Sequence, residues 1–446
     1  NKFVKRPVRS CRQAFYRLYT RHSAQRLCRE RVQERLFVLF FRILWYNGGM
    51  DEIQKQEIRD KVMNSAKEAE ERLSPFAARE ADCLRRSDYK YNFYRRGFVR
   101  DCEAVINLAQ YNRYGGKTQV FSLHANNDIS TRASHVGLVS RIARTIGRAL
   151  NLNCDLIEAI ACAHDLGHAP FGHKGEVWLN AATQKYGYTF AHHVQSARYL
   201  DHITRSDMSL PVIDGVLCHN GECVLREYKP NECATRTFDD LEKKLENAYR
   251  GKITQKELMP ATLEGCLVRI CDVIAYLGKD RQDAATLGVH GLNDYTDYGA
   301  GVLNHKIIRA AGEDIIFNSY GKAAIILSEE MYAALVKSMR ENYAYIYKTE
   351  NTGITAAESA KMEKAVAEVY EFALDDLKKG GALLGRIYFP YIYANPKFVE
   401  EYRKADENAP ERVAADFIAC MCDDYFLSFY NRYLGRLDIR KTDYFD

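Results

Sequence analysis

Residues 154–173 read Cys-Asp-Leu-Ile-Glu-Ala-Ile-Ala-Cys-Ala-His-Asp-Leu-Gly-His-Ala-Pro-Phe-Gly-His, and the phase of this stretch decides how the chain is read. Asp155 with Glu158 three residues on has the form of a capping box, which predicts a short helix running through Ala163. His164 follows Ile160 by four and Ala161 by three, so its side chain lies on the apolar face. Asp165 is adjacent, and Gly167 and Pro170 stop the helix there. An inward imidazole beside a carboxylate at a helix end offers the nitrogen and oxygen donors that suit a first-row divalent metal.

The helical period continues on both sides. Residues 133–150 carry Val139, Ile142, Ile146 and Leu150 on one stripe, with His135 on the same face. The segment 262–278 is apolar nearly all round and predicts a buried helix. Its strongest stripe is Leu267, Ile270, Ile274 and Leu277, and Asp272 with Tyr276 lies on the opposite side. By periodicity alone a solvated Asp272 fits as well as a ligand, although a carboxylate in so apolar a helix is costly without a cation or a donor. If that face lines a cleft, Tyr276 and Asp280 line it too. Residues 51–74 predict a charged helix closed at Ser74-Pro75, and 411–434 one long helix after Pro410. Gly380-Gly381 and the stretch from Pro390 to Pro396 read as loops. With nine prolines and few alternating runs, the expectation is an all-α chain.

At 446 residues, 47% hydrophobic and 28% charged, the chain is neither a disordered tail nor a disulfide-stapled miniature. Its net charge of +5 is unevenly placed. Residues 1–49 hold 12 Lys/Arg against Glu30 and Glu34, so the remainder is net acidic. That segment reads either as a basic arm for nucleic acid or a membrane surface, or as sequence upstream of a natural start at Met50. The 13 cysteines include no CxxC pair, which points to reduced thiols and a cytoplasmic location. The run from Phe37 to Tyr46 contains Arg42 and is about half the length of a membrane span, so neither a span nor a signal peptide is expected.

Eight of the 12 histidines fall between 135 and 219: His135, His164, His168, His173, His192, His193, His202 and His219. Packing does not explain such clustering, although His202 taken alone reads as a core residue. Gly115-Gly116-Lys117-Thr118 lacks the upstream glycine spacing of a Walker A loop and is a poor phosphate cradle by itself.

The order His135, His164-Asp165, Asp272 resembles the H…HD…D signature of HD-domain metal phosphohydrolases. The surrounding blocks narrow the resemblance to the deoxynucleoside triphosphate triphosphohydrolase (dGTPase-like) family. They are Leu73-Ser-Pro-Phe-Ala77, Gly116-Lys-Thr-Gln-Val-Phe121, Thr131-Arg-Ala-Ser-His135, His164 to His173, Phe190-Ala-His-His-Val-Gln-Ser-Ala-Arg198 and Asp416-Phe-Ile-Ala-Cys-Met-Cys-Asp423. The resemblance runs from about 56 to 435 and does not cover 1–49. It departs from the family at His193, where Asn or Glu is common, and at Cys420 and Cys422, where Gly and Thr are common.

The resemblance implies an HD-domain helical bundle over 50–290. Residues 291–446 would form a C-terminal helical region that completes the active site and an oligomer interface, in a tetramer or hexamer. It implies that His135, His164, Asp165 and Asp272 hold a divalent metal (Mn, Mg, Fe, Co or Ni), and that His168, His173 and His192 are further active-site histidines. Arg132 would contact phosphate, and Tyr276 and Asp280 would lie near the sugar. Read from the residues themselves, Lys117 either offsets phosphate charge or is a solvated loop lysine, and Gln119 either touches the base or, more simply, packs within a helix or loop. Tyr345, in the aromatic run Tyr343, Tyr345, Tyr347, is a pocket candidate of lower rank. The implied reaction is hydrolysis of a deoxynucleoside triphosphate at the α-phosphorus to nucleoside and tripolyphosphate, with His192, or His168 in its place, protonating the departing 5′ oxygen. A nucleotide or single-stranded nucleic acid is the implied effector, and no spacing marks its site. The competing expectations are another HD phosphohydrolase acting on other nucleotides, and a nucleic-acid-binding regulator with a structural metal.

Overall fold

The computed structural model describes residues 50–88, 92–124, 126–204, 206–220, 224–231, 235–254, 257–347, 355–389 and 409–439. The basic segment 1–49 and the loop 390–396 lie outside the described residues. The chain divides into two compact units, Asn1–Ser65 and Ala66–Asp446. The charged helix α1 (Glu52–Glu71) begins in the first, and everything that follows concerns the second.

Leaving aside single turns, the helices of the second unit among the described residues are α2 (Gly97–Ile106), α3 (Arg132–Ala149), α4 (Cys154–Ala163), α5 (Gly172–Gln184), α6 (His192–Arg198) and α7 (Leu210–Leu217). After them come α8 (Phe238–Tyr249), α9 (Leu263–Thr286), α10 (Asn304–Ser319) and α11 (Glu329–Asn342). The last three are α12 (Ala356–Lys378), α13 (Pro410–Ala419) and α14 (Asp423–Tyr433). Two strands of two residues each pair antiparallel, with Glu227 opposite Ile326. The molecule is mostly helical, as the periodicity predicts.

The nearly all-apolar helix α9 is the hub of the first core. Leu267, Ile270, Ile274 and Leu277 are fully buried, and α9 packs against α3, α4, α7, α10 and α11. It runs two turns past the predicted end because Arg281, buried beyond it, finds Asn342 Oδ1 at 2.7 Å and Glu341 Oε2 at 3.1 Å. A second core joins α5, α12, α13 and α14. The face of α9 opposite its main stripe stays half open at Asp272 and Tyr276, and the candidate site lies there.

Two boundaries differ from the sequence expectation. The cap of α4 is Asn153, whose side chain accepts from the amides of Asp155 and Leu156 at 3.2 Å; Asp155 is already helical. The predicted long C-terminal helix is two helices, broken at Cys420–Cys422. The carbonyls that a continuing helix would use are taken by side chains: Ala419 O accepts from Lys117 Nζ at 2.7 Å, and Cys420 O from Arg113. Among the described residues no helix is long and apolar enough to cross a membrane, and no disulfide forms.

Candidate metal centre and its surroundings

Three helices deliver the four expected ligands to one spot. His135 lies one turn into α3 on the buried stripe, His164 closes α4 with Asp165 next to it, and Asp272 comes from the open face of α9. His135 Nε2 is 2.9 Å from Asp272 Oδ1, and His164 Nε2 is 3.8 Å from the same atom. Asp165 Oδ2 lies 3.4 Å from His164 Nε2 and 4.0 Å from His135 Nε2. One donor atom each from His135, His164 and Asp272 fall within 4.8 Å of one another. The ambiguity about Asp272 is therefore resolved by tertiary structure: its carboxylate faces two imidazoles.

The electrostatics fit a bound cation. His164 Nδ1 is 2.7 Å from the Ala161 carbonyl, which fixes the proton there, and its buried Nε2 has no hydrogen-bond partner among the described residues. That is the orientation of a metal-ligating imidazole supported by a carbonyl. Burial opposes ionisation of Asp165, but the Arg132 guanidinium and His164 hold its carboxyl well below the usual carboxylate range. Asp272 is likewise lowered against its burial by His135 and His164. For His164, whose burial works the other way, Asp165 and Asp272 raise the imidazole to about 9. Two ionised carboxylates aimed at two imidazoles demand positive charge, and a divalent cation supplies it in place of protons.

A second ring of groups surrounds this set. Arg132 Nη1 pairs with Asp165 Oδ2, and Nη2 reaches His168 Nε2 at 2.6 Å. A guanidinium only donates, so His168 Nε2 is an acceptor and that ring is neutral, consistent with its strongly lowered pKa from burial and Arg132. His192 differs. Glu176 on α5 accepts from its Nδ1 at 2.9 Å and from its backbone amide at 2.8 Å, leaving Nε2 3.9 Å from Asp165 Oδ1. Burial pulls His192 down, but the Glu176 carboxylate leaves it raised above an ordinary imidazole. His173 stands half exposed, its Nδ1 3.6 Å from Glu176.

The loop between α4 and α5 depends on close packing and on the C-terminal helices. A Cβ at Gly167 would come within 2.3 Å of the Ser196 amide nitrogen, so only glycine lets this loop press on α6, and its amide donates to Ser196 Oγ at 2.8 Å. Phe171 is a left-handed residue (φ +65°) whose amide donates to Asp423 Oδ1 at 2.9 Å. Asp423 Oδ2 accepts from Thr118 Oγ1 at 2.6 Å. Lys117 Nζ bridges the carbonyls of His168 and Ala419. On α13, Asp416 receives Arg198 at 2.7 Å and Gln195 at 2.6 Å, both from α6, the helix that begins with His192.

The remaining predicted residues are placed as follows. Lys117 and Gln119 are buried, Gln119 Oε1 without a hydrogen-bond partner among the described residues; burial lowers Lys117 to about 7. Asp280 is buried two turns beyond Asp272, accepts from Tyr347 Oη at 2.5 Å and is pushed up to about 8 by burial. Tyr276 lies half-buried between them. Tyr345 stacks on His290 with ring centroids 4.7 Å apart, in a small cluster with Tyr295. His193 turns from Glu176 and lies 3.3 Å from the Asn220 side-chain amide. His202 sits away from the site, 3.4 Å from Glu242 and 3.6 Å from Asp201, where Arg86 pairs with both acids.

Sequence reasoning missed Glu176 and gave His219 no role. Glu176 follows His173 by three on α5, a helical spacing that would have flagged it. His219 is fully buried, its Nε2 3.9 Å from Asp165 Oδ1.

Comparison with known proteins agrees with this geometry. Residues 132–277 match the HD domain and residues 325–432 the phosphohydrolase-associated domain. The chain is 33% identical over 382 residues to a deoxyguanosinetriphosphate triphosphohydrolase-like protein of Caldanaerobacter subterraneus subsp. tengcongensis, covering 83% of this chain and 95% of that protein. A protein of the same name from Syntrophus aciditrophicus is 30% identical over 81% of this chain and 93% of its own length. Another, from Desulfatibacillum aliphaticivorans, is 28% identical over 81% and 94%.

Proposed function

Since the chain belongs to the HD-domain family of deoxyguanosinetriphosphate triphosphohydrolase-like proteins, we propose that it hydrolyses deoxynucleoside triphosphates such as dGTP to the deoxynucleoside and tripolyphosphate. The observation that carries the reading is the convergence of His135, His164, Asp165 and Asp272 with a buried, unpartnered His164 Nε2, beside a His192 held by Glu176. A divalent cation on those four residues would supply Lewis-acid polarisation of a phosphoryl oxygen and a water acidic enough to react near neutral pH.

The chain's own groups do the rest. Water attacks the α-phosphorus, the bond from phosphorus to the 5′ oxygen breaks, and that oxygen needs a proton. His192 is the donor favoured by geometry: Glu176 holds its Nδ1 and directs Nε2 toward the metal-ligand carboxylate. His168 is less suited, because its Nε2 already accepts from Arg132. His173, half exposed and 3.6 Å from Glu176, would restore the proton from solvent. Arg132 faces phosphate across Asp165, with its Nε unpartnered among the described residues. Tyr276 would pack under the deoxyribose and Asp280 would take its 3′ hydroxyl, while Gln119, whose Oε1 has no partner among the described residues, would meet the base.

The test is incubation of metal-replete protein with each dNTP and rNTP, reading nucleoside and tripolyphosphate. Release of monophosphate and pyrophosphate instead would reject the assignment.

A further inference from the structure

His219 is left unused by the chemistry above. It lies two residues past α7, fully buried, with its ring centroid 4.8 Å from that of His164 and 5.2 Å from that of His192. Its Nδ1 is 2.6 Å from the carbonyl oxygen of Val216, three residues back. A carbonyl only accepts, so Nδ1 carries a proton and the neutral ring presents a lone pair at Nε2. His164 is built the same way, with Nδ1 on the carbonyl of Ala161, also three residues back, at 2.7 Å.

The likeness extends to the other nitrogen. Both Nε2 atoms are buried, and neither has a hydrogen-bond partner among the described residues. Both face one carboxylate: His164 Nε2 is 3.4 Å from Asp165 Oδ2, and His219 Nε2 is 3.9 Å from Asp165 Oδ1. Donor atoms of His164, Asp165 and His219 fall within 4.8 Å of one another, the same span that groups His135, His164 and Asp272. A histidine kept for packing would be expected to pair its second nitrogen. One fixed by a backbone carbonyl with a bare, buried nitrogen aimed at a metal-ligand carboxylate has the support of a metal-binding imidazole.

We propose that His219 is a fifth protein ligand of the cation, making a set of three imidazoles and two carboxylates. The inference rests on the metal assignment above and deepens it. A third nitrogen donor shifts preference from Mg²⁺ toward Fe²⁺, Co²⁺ and Ni²⁺ and leaves fewer positions for substrate oxygen.

The test uses Co²⁺ and the full chain without nucleotide, so it is independent of the substrate. X-ray absorption on the wild-type Co²⁺ protein should count three imidazoles. His219→Ala and His219→Gln should each lose one imidazole, change the visible absorption of Co²⁺, and bind Co²⁺ about 10- to 100-fold more weakly in competition with a chelator. Two imidazoles in the wild type would overturn the role of His219 and leave the four-residue site standing; this readout decides the matter even if the variants do not fold. A folded His219→Ala with wild-type affinity and spectrum would overturn it as well. A wild-type protein that binds no Co²⁺ would overturn this inference together with the metal site.

Discussion

Replacing Asp423 with alanine tests how far the C-terminal helices govern a site whose four proposed ligands His135, His164, Asp165 and Asp272 lie on or beside α3, α4 and α9. The Asp423 carboxylate accepts from the Phe171 amide at 2.9 Å and from the Thr118 hydroxyl at 2.6 Å. Phe171 is 1% exposed at φ +65°, a conformation that costs about 1–3 kcal/mol for a side chain of this kind and must be held by its surroundings. Alanine leaves the Phe171 N–H buried without an acceptor, at a cost of about 1–3 kcal/mol. The Thr118 hydroxyl can rotate, so its loss adds about 0.5–1 kcal/mol. The loop that carries His168 and leads into His173 thus loses about 1.5–4 kcal/mol of restraint, and relaxing the left-handed residue returns part of it. At about 1.4 kcal/mol per tenfold, kcat should fall about 10- to 100-fold. Metal content should not change, because Asp423 touches none of the ligands. Asp423→Asn keeps one acceptor oxygen for Phe171 and should lose less than about tenfold. The assay is tripolyphosphate release at saturating dGTP, with metal analysis and limited proteolysis of residues 164–173. A folded, metal-replete Asp423→Ala protein with kcat within about twofold of wild type would refute the reasoning.

Other perturbations follow from the same geometry. His164→Ala or Asp165→Ala should abolish metal binding and turnover while the helical circular dichroism stays near wild type; full turnover in either variant would remove the metal assignment. His192→Ala should lower turnover far more than metal content, and the reverse order would move His192 into the ligand set. Glu176→Gln removes the carboxylate that raises His192, so the alkaline limb of the kcat profile should shift to lower pH; an unmoved limb would mean that Glu176 does not tune the proton donor. Glu264 is a stability probe. Its buried carboxyl accepts from the Asn153 and Ala78 amides at 2.9 and 3.1 Å and is pushed up to about 7 by burial. Between the unfolded value near 4.5 and about 7, the folded state keeps a proton that the unfolded state has lost. Stability should therefore fall with rising pH across that window, by up to about 3 kcal/mol, and level off above it. Denaturant melts of wild type and Glu264→Gln against pH check this, since the variant should lose that slope.

Helical phase carried much of the fold and the first part of the site. The stripes through His135 and in α4 placed both imidazoles inward because buried residues recur at helical spacing whatever their partners. Asp272 was not legible in this way: it lies off the main stripe of α9, and only the arrival of α3 and α4 shows that this second face meets imidazoles and not water. The break at Cys420–Cys422 was hidden for a related reason, since the side chains that take the helix carbonyls, Lys117 and Arg113, come from about 300 residues earlier. Asn153 outcompeted Asp155 as a cap because Glu264 also fixes its backbone amide, a contact more than 100 residues away in sequence. The i,i+3 spacing from His173 marks Glu176 in the sequence, but its pairing with His192 joins two helices, and His219 meets Asp165 only through tertiary packing, which spacing within one element does not reveal.

On the proposed function, the distribution of charge would make a cation as useful for binding the substrate as for the reaction. Outside residues 1–49 the chain is net acidic, yet the proposed substrate carries several negative charges. Within the site, Asp165, Asp272 and Glu176 are all held ionised. Of the two nearby fixed cations, Arg132 is shared with Asp165, and Lys117 spends its ammonium on two carbonyls while burial draws it down to about 7. Lys117 therefore acts first as a pin between the His168 loop and α13, and little of its charge reaches a phosphate. On the proposed function, a triphosphate at this site would meet a deficit of positive charge that Arg132 and Lys117 do not correct, and a divalent ion held by His135, His164, Asp165 and Asp272 would supply it.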